Sequence, residues 1–469
     1  MSSRISRRLF LAGAAGFAAG VPITLLADRL LAPRFSGTTQ PIAKPDYALP
    51  GPFPGRVVEV HRPDAVSPEY VVNQAAVGDM LDEGMSHLTG ADRGDVKAAW
   101  GRFFQRGDVV GVKVNPVGRA AKPGERGHVP GAVASISSYE LVVEVVRRLK
   151  EAGVLPQDIV VFERYAEEFI DAGYADLVER ELPDVRWAAS AVRYSDTQVD
   201  VAGFDDGRGT IAVEAERRVA GYDPDVFTLM GFCGPQHQND ERRFRSHMSL
   251  IATRMVDKIV TLPVLKDHRS AGVTLALKNL SHGMNNNVSR SHLTDLAYDA
   301  DGPSHRMGPN QCNTFIPQAA SQTMMRQKAT LHILDGLIGA YEGGPKSTNK
   351  TWATWRRNSL FFATDPVAMD HIGWEIIDQV RAEYGWAPVA RMGLLNQTSA
   401  TDPVTAAAPF GADLLGGMAL CAAAQNMTAG RVTEDLNMRQ PEHIVLAGEL
   451  GLGVFPREQI DYRKVNITE

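Results

Sequence analysis

Cysteine is scarce in this chain of 469 residues, which holds only Cys233, Cys312 and Cys421. Three widely spaced thiols cannot all pair within one chain and no Cys-x-x-Cys occurs. Neither a disulfide framework nor a cysteine-ligated iron–sulfur cluster is therefore expected, and one disulfide is the most the chain allows. Cys233 has His237 and His247 near it, but the spacing matches no standard zinc site and reads as a loop cysteine with solvated histidines. An excess of basic charge is also missing. Lys and Arg number 49 against 55 Asp and Glu, a net charge of -6 at pH 7, and an acidic body argues against a nucleic-acid binder. No internal repeat of solenoid period is present, and Gly-x-x-x-x-Gly-Lys-Ser/Thr is absent, so the chain has no phosphate-binding P-loop.

The charge that is present is uneven. Residues 1–35 carry five arginines against one aspartate, net +4, which leaves -10 for the remainder. Ser6-Arg7-Arg8-Leu9-Phe10-Leu11 resembles a twin-arginine export signal, with an uncharged Ala/Gly-rich run from Leu9 to Ala27 behind it. Twin-arginine export carries folded proteins, which implies folding, and room for cofactor loading, before delivery to the periplasm. No Ala-x-Ala site lies close behind the apolar run, and the run is just long enough to span a bilayer, so a cleaved signal and a retained N-terminal membrane anchor are both open. The expected partner at this end is the twin-arginine export machinery. Residues 36–56 are rich in Pro and Gly and read as a linker, and residues 57–469 as the folded body.

With 44% hydrophobic and 22% charged residues, the body reads as a globular α/β domain: a mostly parallel sheet with flanking helices plus polar insertions. Asp108–Val114 is a valine-rich strand. Ser137-Ser138-Tyr139-Glu140 forms a capping box that opens a helix with Leu141, Val142, Val145 and Leu149 on its apolar face, and Gly153 ends that helix before a second strand at Ile159–Phe162. Strand, crossover helix and strand in this order make a parallel pair. Further strands are expected at Lys258–Pro263, Leu331–Leu334, Leu360–Ala363 and His443–Leu446, and a helix after Asp365-Pro366. Insertions are expected near residues 190–245, as a small antiparallel appendage, and 286–327, as a lid.

The stretch LPVLKDHRSAGVTLALKNLSHGMNNN, Leu262–Asn287, places polar groups inside an apolar run. It predicts a strand ending near Pro263, a loop over Leu265–Gly272, and a helix to about Ser281 whose one face carries Thr274, Lys278 and His282. In open α/β sheets ligands bind outside the carboxyl ends of strands. A helix start beside Lys266, His268 and Arg269 offers free backbone N–H groups to an anion.

Four segments then resemble, in order, the motifs of the domain-of-unknown-function 362 family: Gly111-Val112-Lys113-Val114-Asn115-Pro116, Leu262–Gly283, Leu334-Asp335-Gly336 through Glu342-Gly343-Gly344-Pro345, and Ala363–Asp370. The resemblance spans about Gly107 to Gly453. Many members carry a ferredoxin-like part with cysteine-bound clusters, which this chain lacks, and the family has no settled reaction. The resemblance implies site positions more than chemistry. Lys266, His268 and Lys278 are the candidate catalytic residues, and Lys113, Asn115, Asn279, His282 and Glu342 the candidate ligand-binding ones, a set of cations and amides suited to an anionic small molecule. Asp335 and Glu342 are candidates for a divalent metal, though both sit where turn chemistry also suits an acid. Asp365 reads as a helix N-cap, and Asp370 as an acid favouring its helix dipole. A weaker analogy, in the use of lysine and histidine on an α/β scaffold, is to the lactate racemase that carries a nickel-pincer nucleotide. The expected function is an enzyme or cofactor-binding protein acting on an anionic small molecule; the alternative is a non-catalytic periplasmic ligand-binding or assembly protein.

The export machinery reads the paired arginines, so replacing Arg7 and Arg8 by lysine is expected to leave the protein in the cytoplasm, as cell fractionation would show. Undiminished periplasmic delivery would remove the signal assignment.

Overall fold

The computed structural model describes residues 45–468 apart from 126, 194–217, 230–244, 269–270, 287, 292–297, 300–301, 304–311, 350, 387 and 390–440. The proposed export signal, Arg269, Cys233 with His237, Cys421, and most of the insertion near residues 190–245 lie outside the described residues. Of the segment read as a linker, its end is packed on the body: Ala48 and Leu49 are buried, and the Leu49 N–H donates to the Arg326 carbonyl at 2.8 Å.

In chain order the elements are β1 (Arg56–His61), α1 (Gln74–Thr89), α2 (Val96–Trp100), β2 (Val110–Lys113), α3 (Tyr139–Glu151), β3 (Ile159–Tyr165), α4 (Ala166–Asp171), α5 (Tyr174–Glu181) and β4 (Arg186–Ala191). There follow β5 (Tyr222–Leu229), β6 (Arg245–Ser249), β7 (Lys258–Thr261), β8 (Val264–His268), β9 (Gly272–Thr274), α6 (Ala276–Ser281), β10 (Tyr298–Asp299), β11 (Gly302–Pro303), α7 (Cys312–Ala320) and α8 (Thr323–Lys328). Last come β12 (Ala329–Glu342), β13 (Ala353–Ala363), α9 (Pro366–Glu383), α10 (Glu442–Glu449) and β14 (Asp461–Asn466). Among the described residues, no helix is long and apolar enough to cross a membrane.

Ten strands form one large sheet in the order β14-β1-β13-β12-β7-β2-β3-β4, with β8 and β9 branching from β12. Most neighbours run parallel; β1/β13, β12/β13 and β8/β9 are antiparallel. This is the mostly parallel α/β architecture that the strand–helix–strand spacing predicts. In α3, Leu141, Val142, Val145 and Leu149 are fully buried, and Gly153 follows the helix with φ +105°, a conformation that favours a residue without Cβ. β5 and β6 pair antiparallel in a sheet of their own.

Four local expectations are corrected. His443–Leu446 lies in a helix, α10, not a strand. Short apolar runs do not distinguish the two by periodicity. Thr274 lies on β9 and not on the helix with Lys278 and His282. Lys266 and His268 belong to a strand, where a loop was expected. Asp335 and Glu342 do not flank a turn; both sit in the single strand β12, whose 14 residues absorb the glycines through register shifts between Gly336 and Ile338 and between Ala340 and Glu342.

The feature that positions the site is a fork. β12 pairs with β7 through Ala329–His332 and with β8 through Asp335–Ala340. On the opposite side of that continuous track, β2 pairs with β7 and ends at Lys113, opposite Thr261, while β9 pairs with β8. The switch falls at Leu262-Pro263, where the proline carries no N–H to continue a ladder. The chain leaving β2 is thereby set apart from β8, and polar side chains fill the divergence.

Gly84, in the buried face of α1, lies against the Phe362 ring of β13 so closely that an added Cβ would overlap the ring. Gly84→Ala gains about 1 kcal/mol of helix propensity and incurs an overpacking penalty of roughly 1–3 kcal/mol. Net destabilisation in chemical denaturation is the expected outcome; a stabilised variant would show that helix and sheet can separate there freely.

Candidate functional site

Three lysines approach the fork, each nearly or fully buried: Lys113, Lys266 and Lys278 at 1%, 0% and 7% exposure. Lys113, ending β2, donates to the Val114 carbonyl at 2.7 Å and to Asn279 Oδ1 at 3.2 Å, and makes a closer contact with the Glu163 carboxylate on the neighbouring strand. Burial draws its pKa down and Glu163 opposes the shift. Lys266, on β8, reaches back across the fork to the chain leaving β2. Its ammonium donates to Asn115 Oδ1 at 3.4 Å, to the Ser135 carbonyl at 3.3 Å and, closer, to the Val117 carbonyl. Burial lowers its pKa to about 7, with Lys278 adding repulsion and Asp267 and Glu163 working against it.

Asn115 is built into the same turn. Its Oδ1 accepts from the Val117 N–H at 3.1 Å and its own N–H donates to Ser137 Oγ at 2.8 Å. Gly118, with φ +116°, keeps the turn open here: a Cβ would press on the Ser135 carbonyl and come within 3.2 Å of Lys266 Nζ.

Thr274 stands directly opposite Lys266 in the β8/β9 ladder, so their side chains share a face. Among the described residues its buried Oγ1 has no hydrogen-bond partner, and neither has Asn279 Nδ2. Because a lysine ammonium only donates, the Asn279 oxygen must face Lys113 and its amide N–H pair points elsewhere. Two buried polar atoms near the lysines are thus unmatched among the described residues.

His268 lies on the Lys266 face of β8, two residues on. Its Nδ1 accepts from the Ala271 N–H at 3.0 Å, so Nε2 bears the proton in the neutral ring. His282 follows α6 and is met by side chains other than the three lysines. Its Nε2 meets Ser291 Oγ, which itself donates to the Val288 carbonyl at 2.7 Å, and its ring packs edge-on to Phe315. Cys312 Sγ lies 3.9 Å from the same Nε2.

The acids are placed differently. Strand alternation puts Asp267 on the face opposite Lys266, where its Oδ1 accepts from the Gly344 N–H at 2.7 Å and its Oδ2 lies 4.0 Å from Arg381 Nη1. Glu342 pairs with that guanidinium at 2.6 Å and accepts from Thr351 Oγ1 at 3.3 Å. Asp335 accepts from the Ser138 N–H at 2.7 Å, from Ser138 Oγ at 2.6 Å and from the Leu337 N–H at 3.0 Å. It thereby serves the start of α3 in place of the Ser138 side chain, and burial raises its pKa against those bonds. Asp335 and Glu342 have separate partners, and among the described residues no group of three or more His, Cys, Asp or Glu is placed to hold a metal ion.

Asp365 is the expected N-cap of α9, accepting from the Val367 and Ala368 N–H groups at 3.0 and 2.9 Å. Asp370 reaches a different helix. Its two oxygens accept from the Ala276 and Leu277 N–H groups at 2.7 and 2.9 Å, so the start of α6, expected to be free for a ligand anion, is taken by an internal carboxylate. Burial holds the Asp370 pKa well above the usual carboxylate range. Glu163, Asp267 and Arg381 were not among the sequence candidates, and Asp370 acts on α6 and not on the dipole of its own helix. Each matters through a partner remote in the chain, and no local spacing carries that information.

A family model described as "Domain of unknown function (DUF362)" matches residues 218–375. The match takes in the fork strands, α6 and the start of α9, and leaves out the Gly111–Pro116 motif. No curated protein matches the chain. Among solved structures it is similar to a protein from Thermotoga maritima, 12% identical, with a TM-score of 0.33, over 66% of this chain and 59% of that one. It is also similar to the lactate racemase apoprotein from Thermoanaerobacterium thermosaccharolyticum, 12% identical, with a TM-score of 0.29, over 72% of this chain and 59% of that one. The matched region spans less than two thirds of either relative.

Lys266 generates a pH prediction. Its folded pKa of about 7 lies below the unfolded value of about 10.4. Between those values the unfolded chain holds a proton that the folded chain does not, so this group's contribution to stability rises with pH. The penalty of burying the ammonium is complete below about pH 7 and relieved as the pH climbs toward 10. Compared with Lys266→Met, the parent is expected to gain stability over that window, by up to about 1.4 kcal/mol per pH unit. A pH-independent difference between the two in urea titrations would mean that the ammonium stays charged in the fold.

Proposed function

We propose that the protein is an enzyme acting on a small anionic molecule bound at the fork of the sheet. In this reading Lys278, Asn279 and Thr274 hold the anion and Lys266 exchanges a proton with it. The observation that carries the reading is a pair of buried atoms, Thr274 Oγ1 and Asn279 Nδ2, unmatched among the described residues, beside buried lysines at the carboxyl end of β2. Buried polar groups ordinarily have partners, and amide and hydroxyl donors next to ammonium groups suit an oxyanion. A lysine with a pKa near neutrality suits acid–base work, because both protonation states are then accessible at working pH.

Lys113 and Asn115 have a supporting part here. The ammonium of Lys113 is met by Glu163, Asn279 and a carbonyl, so it orients the amide that would face the ligand. Asn115 holds Lys266 at the end of its reach. His268 lies on the same face of β8, where its Nδ1 accepts from the Ala271 N–H. Glu342 and Asp335 hold the scaffold through Arg381 and α3. We also place this activity in the periplasm, on the strength of Arg7 and Arg8 and the apolar run behind them.

The test is a binding titration with inorganic phosphate and acetate, combined with native mass spectrometry of the purified protein for retained small molecules. Lys266→Met and Lys278→Met are each expected to weaken anion binding by about 2 kcal/mol, the scale of a charge-assisted hydrogen bond lost with its partner left unpaired. The double variant is expected to lose less than the sum, since both cations serve one ligand. Parent-like binding in both single variants would place the ligand elsewhere.

A further inference from the structure

His443 belongs to none of the motifs above and lies beyond the matched segment. It is the second residue of α10 and fully buried. Its backbone N–H donates to Asn313 Oδ1 of α7 at 3.3 Å, and Asn313 Nδ2 donates to Glu442 Oε2 at 3.4 Å, so side chains of both helices fix where α10 begins. α10 packs on α7, and α7 packs on α6, which carries Lys278 and Asn279. The imidazole has both ring nitrogens buried, and neither has a hydrogen-bond partner among the described residues. Burial lowers its pKa to about 3, and the Lys278 ammonium adds to the effect. The ring is therefore neutral and presents one N–H donor and one bare nitrogen acceptor.

A leucine would fill comparable space without burying two unmatched nitrogens, so packing alone does not account for a histidine here. We propose that His443 is a ligand-contacting residue of the anion site, and that the ligand is a small oxyanion that also bears a hydroxyl. The inference rests on the reading of the fork as an anion site. Lys278 and Asn279 Nδ2 match the oxyanion oxygens. The neutral imidazole, with a donor and an acceptor, matches a hydroxyl, which both accepts and donates. A bare carboxylate oxygen, which only accepts, would leave one ring nitrogen unmatched.

Inorganic phosphate carries P–OH together with oxyanion oxygens near neutral pH, whereas acetate has no hydroxyl once ionised. Thermal unfolding and titration calorimetry of the full chain with each anion make the comparison. The parent is expected to bind phosphate at least tenfold more tightly than acetate, and to show a correspondingly larger rise in its unfolding midpoint. His443→Leu is expected to unfold without anion at the parent midpoint or above, and to bind phosphate no better than acetate. His443→Gln, which restores a donor and an acceptor, is expected to recover part of the preference, and it decides the matter should the leucine variant fail to fold. A His443→Leu variant that keeps the full phosphate preference overturns the assignment of His443 and leaves the anion site standing. A His443→Gln variant with no preference, when the leucine variant does not fold, overturns it as well. A parent that responds to neither anion, or a Lys278→Met variant that binds both as the parent does, overturns the anion site and this inference with it.

Discussion

Buried lysine ammonium groups must be met by oxygen, and the centre of this fold is arranged around that requirement. Lys113 and Lys266 leave adjacent parts of the sheet and turn toward each other's surroundings, one held by Glu163 and Asn279, the other by Asn115 and two carbonyls of the turn after β2. An unpaired charge in such a place is strongly unfavourable. The turn at Asn115–Gly118, the branch of the sheet at Pro263 and the position of α6 are consistent with that demand, because each brings an oxygen to a buried nitrogen.

The carboxylates follow a second logic. Asp335, Asp365 and Asp370 all accept from backbone N–H groups at or beside helix starts, where the orphan donors of a first turn and the positive end of the dipole favour an acid. Two of the three act on helices to which they do not belong: Asp335, from strand β12, on α3 and Asp370, from α9, on α6. Glu342 and Asp267 flank one buried arginine, Arg381, behind β8. Strand alternation separates that ion cluster from the lysine face, although Lys266 and Asp267 are consecutive. Positive and negative groups that look mingled in the sequence are thus sorted onto two sides of a single strand.

This sorting leaves the fork with cations, amides and a hydroxyl, but with most of its carboxylates turned to structural partners. Such a composition supports the anionic ligand proposed above. The motif resemblance implied these lysines and Asn279 as candidates, and the geometry distinguishes among them. Lys113 is enclosed, Lys266 is poised near neutrality, and Asn279 is half satisfied among the described residues.

Much of this protein was legible in the order of its residues. The valine-rich strand at Asp108, the amphipathic crossover ending at Gly153 and the Asp365-Pro366 helix start depend on neighbours three or four positions away, and local chemistry is enough to read them. The sequence by itself also determined that polar groups would gather around Leu262–Asn287, since an apolar run threaded with lysines must meet something polar. Tertiary structure alone decided which face each group took and what it met. Thr274 became a strand residue because β8 folds back on β9, and His443 became helical against α7, where a short apolar run carries no period to show it. The α6 start was closed by Asp370, 94 residues along the chain from Ala276. Partners so remote in sequence are chosen by the packing of sheet and helices, and the free energy that selects them, the desolvation of buried charge, exists only once the core has formed.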